Sequence, residues 1–297
     1  MMATLLEERD TTDLPDPARV GRRRHRIQFI VAVILIGLVV VCSLLAPILA
    51  PYDPVLTDSA AKFLPPGSPG HLLGTDELGR DLLSRLLWGG RTSLVLAVLA
   101  VVLAAVVGSA AGLAAGFAGP RASGVIMRIV DVLFAFPVIL VAIALAALLS
   151  PGPGVVVLAI VFAVVPYVTR VVFAEVKQQH GKEYVEAAIS LGAGRWSLML
   201  REVLPNVAGP IVVYATGLVG AMVVFSASLS AVGIGVQPPE PDWGQMIASG
   251  AKVIISGHLY VALIPGVTVL VVALAFNWLG DGLHDVFSPR VRRGTRR

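Results

Sequence analysis

The residues able to do chemistry are few and scattered, and that decides the class of function. Asp281, His284 and Asp285 set carboxylates on either side of an imidazole, a spacing that on a helix could hold a metal or exchange a proton. They adjoin the end of an apolar run and a basic tail, so a solvated helix end is the simpler account. Arg128 and Asp131 stand three residues apart near the start of another apolar run and could pair on one helix face. An ionisable group at membrane depth is a functional candidate in its own right, although here an interfacial ion pair suffices. Ser226, Ser228 and Ser230 could line a path, but at least two of them are expected to bond back to carbonyls of their own helix. No Gly-x-x-x-x-Gly-Lys-Ser/Thr phosphate loop, no His/Glu zinc motif and no placeable Ser/His/Asp set occurs. Cys42 is the single cysteine, which excludes an intrachain disulfide and a Cys-rich metal site. Catalysis within this polypeptide is therefore not expected, and the chemistry left to it is non-covalent.

The elements explain why. Of 297 residues 56% are hydrophobic and 14% charged, against about 25% charged in a soluble domain. Six apolar runs are long enough to cross a membrane: Ile27–Ala50, Thr92–Phe117, Val125–Leu149, Val155–Ala174, Ala208–Gly235 and Leu259–Leu279. Pro137 is expected to kink the third. In the second, Gly108, Gly112 and Gly116 repeat every four residues and make a flat stripe for close helix packing, with the partner helix unspecified. The polar, mixed-charge segment before the first run, and that run's length, predict an uncleaved anchor rather than a signal peptide. The chain divides into a tail (1–26), a first span with a polar extension (27–91), a core of spans (92–281) and a basic tail (282–297).

Two polar excursions interrupt the spans. In Gly74–Arg91, Thr75 or Asp76 could cap an interfacial helix whose apolar face carries Leu78, Leu82, Leu83, Leu86 and Leu87. Val236–His258 is Pro-rich, with Trp243 expected at the membrane interface.

The stretch Lys182–Asn206 lies between the fourth and fifth spans and is too charged to be one. It reads as two short helices, Glu183–Leu191 and Arg195–Leu204, broken at Gly192–Ala193–Gly194 and stopped by Pro205. Both carry apolar side chains, among them Ile189, Leu191, Trp196 and Leu200. Pieces this short are not stable alone, so the hairpin needs a protein groove or a membrane surface. Six spans put both termini and this hairpin on one side. Only Lys62, Arg80, Arg85, Arg91 and Lys252 then fall on the other, five of the 23 basic residues, with 18 on the side of the termini. The positive-inside rule makes that side the cytoplasm. The net charge of +4 has the same origin and does not indicate nucleic acid binding.

Glu186-Ala187-Ala188, then Gly192, then Leu204-Pro205 resembles the EAA loop of ABC importer permeases. The general pattern has an apolar residue where this chain has Glu202, and Val203-Leu204-Pro205-Asn206 is closer to the peptide permeases. Gly74-Thr75-Asp76, Gly79-Arg80-Asp81 and Ser84-Arg85 resemble one permease type of the dipeptide, oligopeptide and nickel importers. Asp131, Phe136-Pro137, Gly233–Gly235, Gln237-Pro238-Pro239 and Trp243-Gly244 fit the same family. The resemblance covers about Ile27 to Pro289. It implies an all-α, type I importer-like fold of six transmembrane helices in a bacterial inner membrane. It also implies that Glu183, Glu186, Ala187, Ala188, Gly192 and Ala193 contact an ATPase through a cytoplasmic coupling helix. The implied partners are a second homologous permease, two ATPase domains holding ATP and Mg, an extracytoplasmic substrate-binding protein and membrane lipid. The chain itself would hold no cofactor. Short peptides are the expected cargo, with nickel or glutathione-like molecules as alternatives. A secondary carrier would show inverted repeats and ionisable residues along a path, and a structural membrane protein would not need the apolar hairpin.

Overall fold

The computed structural model describes the backbone of residues 17–287 and the side chains of residues 26–284. Arg290, Arg292, Arg293, Arg296 and Arg297 of the basic tail, the Asp285 side chain and most of the N-terminal tail lie outside the described residues. The elements are helices, with no strand among the described residues: α1 (Pro17–Leu44), α2 (Ala46–Leu49), α3 (Leu82–Phe117), α4 (Pro120–Ala135), α5 (Val138–Leu149), α6 (Pro153–Gln179), α7 (Glu183–Ser190), α8 (Arg195–Ser197), a π-helical turn (Leu198–Val203), α9 (Leu204–Ala231), α10 (Trp243–Lys252) and α11 (Tyr260–Phe287). Five helical stretches are long and apolar enough to cross a membrane, and α4 with α5 makes a sixth if the bent pair is one span.

Small residues bring the helices together. A Cβ on Gly108 would lie 2.7 Å from Val168 Cβ, one on Gly112 would lie 2.7 Å from Val172 Cβ, and one on Gly116 would run into the Val176 side chain. The glycine stripe of α3 is thus filled by the valine ridge of α6, and the partner helix belongs to this same chain. On the other side α9 meets α11, where a Cβ on Gly220 would lie 2.6 Å from Ala273 O. Two apolar clusters result, one centred on α3, α6 and the α7–α9 region, the other on α3, α9, α10 and α11.

Several elements differ from the sequence expectations. The first span starts at Arg26, beside the expected Ile27, but ends at Leu44 rather than Ala50, and its helix α1 extends back to Pro17. α3 is capped by Asp81, which accepts from the Ser84 N–H at 2.8 Å, and runs unbroken through the second span. There is no separate interfacial helix, because Asp76 is engaged by Arg80 and the backbone turns at Gly79, whose φ is +76°. Leu78 is left exposed in that turn. The third span is broken rather than kinked: α4 and α5 meet at 84°, since Pro137 has no N–H to carry the helix forward. Pro205 does not stop the second hairpin helix. The π turn before it, in which the Leu204 N–H reaches Met199 O, leads straight into α9, and Pro205 sits in the first turn where its missing N–H costs nothing. Trp243 is buried core, with Nε1–H donating to Leu86 O at 2.9 Å. α11 continues past Asp281 and His284, which are exposed on its last turns rather than capping it.

Candidate functional site

The hairpin between the fourth and fifth spans is built around one terminus. Gln179, buried at the end of α6, accepts from Lys182 Nζ at 2.5 Å and from the Tyr184 hydroxyl at 2.9 Å. These bonds fix where α7 starts. Burial, then the nearby Glu202 carboxylate, push the Tyr184 hydroxyl above its ordinary pKa. Glu183 and Glu186 occupy the first turn, where the helix dipole favours them. Val185 faces inward and is buried, and Ala188 packs against the same cluster. Glu183, Glu186 and Ala187 are exposed.

α7 ends in a Schellman turn. The Ala193 N–H donates to Ala188 O at 3.0 Å and the Gly192 N–H to Ile189 O at 2.9 Å. Gly192 is left-handed, φ +82°, with open space where a Cβ would go. The need for glycine is therefore conformational and not steric. The turn throws four large apolar side chains outward: Leu191 is 89% exposed, Trp196 75%, and Ile189 and Leu200 more than half. The hairpin buries Val185, Leu198, Met199 and Val203 beneath and leaves this apolar ridge uncovered, the kind of exposed patch that marks a protein or membrane contact.

A second constellation lies at the opposite ends of α3 and α11. Asp76 accepts from Arg80 Nε at 2.7 Å and lies 3.5 Å from Arg85 Nε; all three side chains are buried. Arg85 Nη1 also donates to Pro54 O at 2.9 Å. Asp81 bonds His71 Nδ1 at 2.9 Å and the Ser84 hydroxyl at 2.8 Å. Thr75 accepts from the Leu64 N–H and donates to Ala61 O. Phe63 stacks on His258 with centroids 4.0 Å apart. Residues 51–81 are thereby strapped onto the helix ends. Sequence inspection marks the Gly-Thr-Asp and Gly-Arg-Asp groups, but not Pro54, His71, Phe63 or His258, which have no periodic relation to them.

The remaining candidates separate. Asp131 pairs with Arg170 of α6 at 2.6 Å, not with Arg128: α6 passes alongside, and its guanidinium reaches the carboxylate over the Phe134 ring. Ser228 bonds back to Val224 O, whereas Ser226 and Ser230 are buried without a hydrogen-bond partner, so one serine and not two is satisfied within its helix. No cluster of metal-ligating side chains occurs among the described residues.

Residues 108–293 match the family described as binding-protein-dependent transport system inner membrane component, and residues 23–66 match the N-terminal transmembrane domain of oligopeptide transport permease C. The chain is 42% identical to the di/tripeptide transport system permease protein DppC of Pseudomonas aeruginosa over 86% of each. It is 39% identical to the dipeptide transport system permease protein DppC of Escherichia coli K12 over 89% of each. It is 37% identical to the glutathione transport system permease protein GsiD of Pectobacterium atrosepticum over 98% of this chain and 97% of that one. A chain of the MetNI methionine ABC transporter in an inward-facing conformation superposes with a TM-score of 0.57 at 18% identity, covering 69% of this chain and 96% of that chain, a likeness of fold. With the interlocked spans, the apolar hairpin between the fourth and fifth of them and the strapped polar extension, these matches show that the chain belongs to the family of binding-protein-dependent transport system inner membrane components, the permease subunits of ABC importers.

Proposed function

We propose that this permease carries short peptides into the cytoplasm and that its hairpin, with Glu183, Glu186, Ala187, Ala188, Gly192 and Ala193, is the contact for a partner ATPase. The observation that carries the second part is the exposed ridge Ile189, Leu191, Trp196 and Leu200 on a hairpin otherwise anchored to the core. The 18-to-five distribution of basic residues supports a cytoplasmic position for this hairpin and both termini. Peptides are favoured by the peptide permeases among the relatives. The glutathione permease similar over nearly the whole chain favours a second reading, a tripeptide-like thiol.

The partners are a second, homologous permease, two ATPase domains that hold ATP and Mg, and an extracytoplasmic binding protein. ATP closes the ATPase pair, and the hairpin, fixed to α6 through Gln179 and continuous with α9 through the π turn, follows that motion as a lever. The spans then shift between inward-open and outward-open populations because ATP favours the closed pair. The test is affinity purification of the tagged subunit with its partners, together with binding-protein-stimulated ATP hydrolysis and uptake. Gly192→Val places a β-branched residue at positive φ, and Ala187→Arg puts a charge on the exposed face of α7. Both should leave the subunit inserted, lose the ATPase and abolish uptake. Normal coupling in either variant would remove the hairpin from this role.

A further inference from the structure

The outer end of α3 carries a polar groove that the coupling mechanism does not use. α3 has 36 residues, about 54 Å of helix, whereas about 20 residues cross a hydrocarbon layer of about 30 Å. Its first turns, beside the strap, therefore stand outside that layer, and the wholly apolar stretch from Leu94 to Val107 lies within it. At the boundary, Trp88, Arg91, Val95 and Leu96 of α3 face Glu240 and Pro241 of the second polar excursion across a groove of about 410 Å³. Trp243, expected at the membrane interface, is core. Trp88, half-buried at this boundary, stands at the depth where indole rings are favoured.

Buried contacts set the shape of this groove. Asp242 accepts from Ser93 Oγ at 2.8 Å, and the Trp243 N–H donates to the same hydroxyl at 3.2 Å. A Cβ on Gly89 would lie 3.2 Å from the Trp243 ring and 3.4 Å from Asp242 Cα, so the excursion lies flat against α3 at this turn. Pro238, Pro239 and Pro241 restrict the backbone on either side of Glu240. Arg91 and Glu240 are both exposed, and neither makes an ion pair among the described residues. The Arg91 guanidinium carbon instead lies 5.9 Å from the centre of the Trp88 ring, a cation–π distance. One groove thus offers a cation, an anion and an aromatic face, with the two charges held apart. Below it, Val95, Leu99, Val102 and Val106 form an exposed stripe on one face of the helix. That stripe is about 16 Å long, close to half of the hydrocarbon layer.

We infer that this groove seats a zwitterionic, amine-bearing phospholipid of the outer leaflet. The lipid phosphate takes the Arg91 guanidinium, whose planar fork suits bidentate binding, and the lipid ammonium group takes the Glu240 carboxylate. Trp88 borders the glycerol region, and one acyl chain runs down the stripe from Val95 to Val106. A lipid that carries the phosphate without the amine leaves Glu240 facing a like charge. A peptide in transit carries the same two charges, but a helix with no polar side chain from Leu94 to Val107 gives it no path onward. A lipid tail, as apolar as leucine, is matched to that surface. The seated lipid bridges α3 and the excursion, whichever substrate the permease carries.

The experiment uses the assembled transporter in phosphatidylglycerol vesicles that contain a photoactivatable phosphatidylethanolamine, its reactive group on an acyl chain. Adducts are mapped by mass spectrometry. Label should concentrate between residues 92 and 106, above the background at Ile34, which is exposed on α1. Unlabelled phosphatidylethanolamine should remove it. The N-acetylated lipid, which keeps the phosphate and loses the ammonium charge, should compete clearly less well. Arg91→Gln and Glu240→Gln should each lower the α3 label about threefold or more, the loss of one exposed ion pair, with label at Ile34 and recovery of the complex unchanged. Arg91→Lys should keep most of the label. Label on α3 no stronger than at Ile34 overturns the seat, as does unchanged label in both charge variants. Equal competition by the N-acetylated lipid overturns the role of Glu240 and with it the zwitterion. Displacement of the label by dialanine overturns the lipid in favour of a peptide.

Discussion

Asp242 is the residue whose energetics are most exposed to test. It is fully buried at the start of α10, accepting from Ser93 Oγ at 2.8 Å and from the Gln245 N–H at 3.1 Å. Desolvation pushes its carboxyl above the ordinary value, and these hydrogen bonds only partly offset it. Since the folded state holds the proton more tightly than the unfolded one, stability falls as pH rises from the ordinary carboxylate range through the folded value. Asp242→Asn keeps an oxygen for the cap and removes the charge. Relative to wild type, its apparent melting temperature in detergent should improve as pH rises above the ordinary carboxylate value of about 4; a pH-independent difference would show that the carboxyl is not held back. Trp243, next along the chain, would cost more than about 1 kcal/mol as Phe, through the lost bond to Leu86 O and the smaller ring, and about 3–5 kcal/mol as Ala. Thermal unfolding of the two variants checks that order.

At the level of elements, the α3–α6 seam and the outer strap are the two rigid joints. Gly112→Leu would drive a side chain into Val172 Cβ and, 2.8 Å away, Thr169 O. The expected loss is about 1–3 kcal/mol or more, read as a fall in monodisperse protein recovered from membranes, whereas Gly124→Leu, with open space at its Cβ, should be tolerated. In the strap, Asp76→Asn leaves Arg80 and Arg85 buried around a neutral group. Breaking a buried pair costs about 3–5 kcal/mol, more than a loop of this size can absorb without opening. Protease added from the outer face should cut between residues 51 and 81 in the variant and spare the wild type. The cap at Asp81, the left-handed Gly79 and the His71 bond explain why this region is a folded strap where apolar spacing alone suggests an amphipathic helix.

For the whole molecule, tight and loose parts divide by neighbour. α3, α6, α9 and α11 enclose the two apolar clusters, while α4 and α5 touch the rest through α3 and α6 alone among their principal contacts. Amide exchange follows local stability, so in nanodiscs α3 and α6 should exchange slowest, and α4, α5 and residues 183–200 fastest. Adding the ATPase partner should protect 183–200. Protection elsewhere but not there would place the docking surface wrongly. In the proposed coupling, this division would set how motion is transmitted: the hairpin would pull on α6 and α9, which carry the packed body, while α4 and α5 are tied to it only through α3 and α6 among their principal contacts.

Composition and period alone determined that the chain is helical and membrane-spanning, where its apolar runs lie, which side bears the basic residues and that an apolar hairpin joins the fourth and fifth runs. These follow from local quantities: hydrophobic length, charge and the breaking residues at Gly192 and Pro137. The tertiary structure decided who meets whom. Glycines 108, 112 and 116 face α6 of the same chain, Asp131 finds Arg170 rather than Arg128, Trp243 turns inward, and Pro205 continues a helix because a π turn precedes it. Such outcomes depend on side chains brought together from positions far apart in sequence, and on which of two competing partners lies nearer once the helices pack, neither of which a local pattern contains.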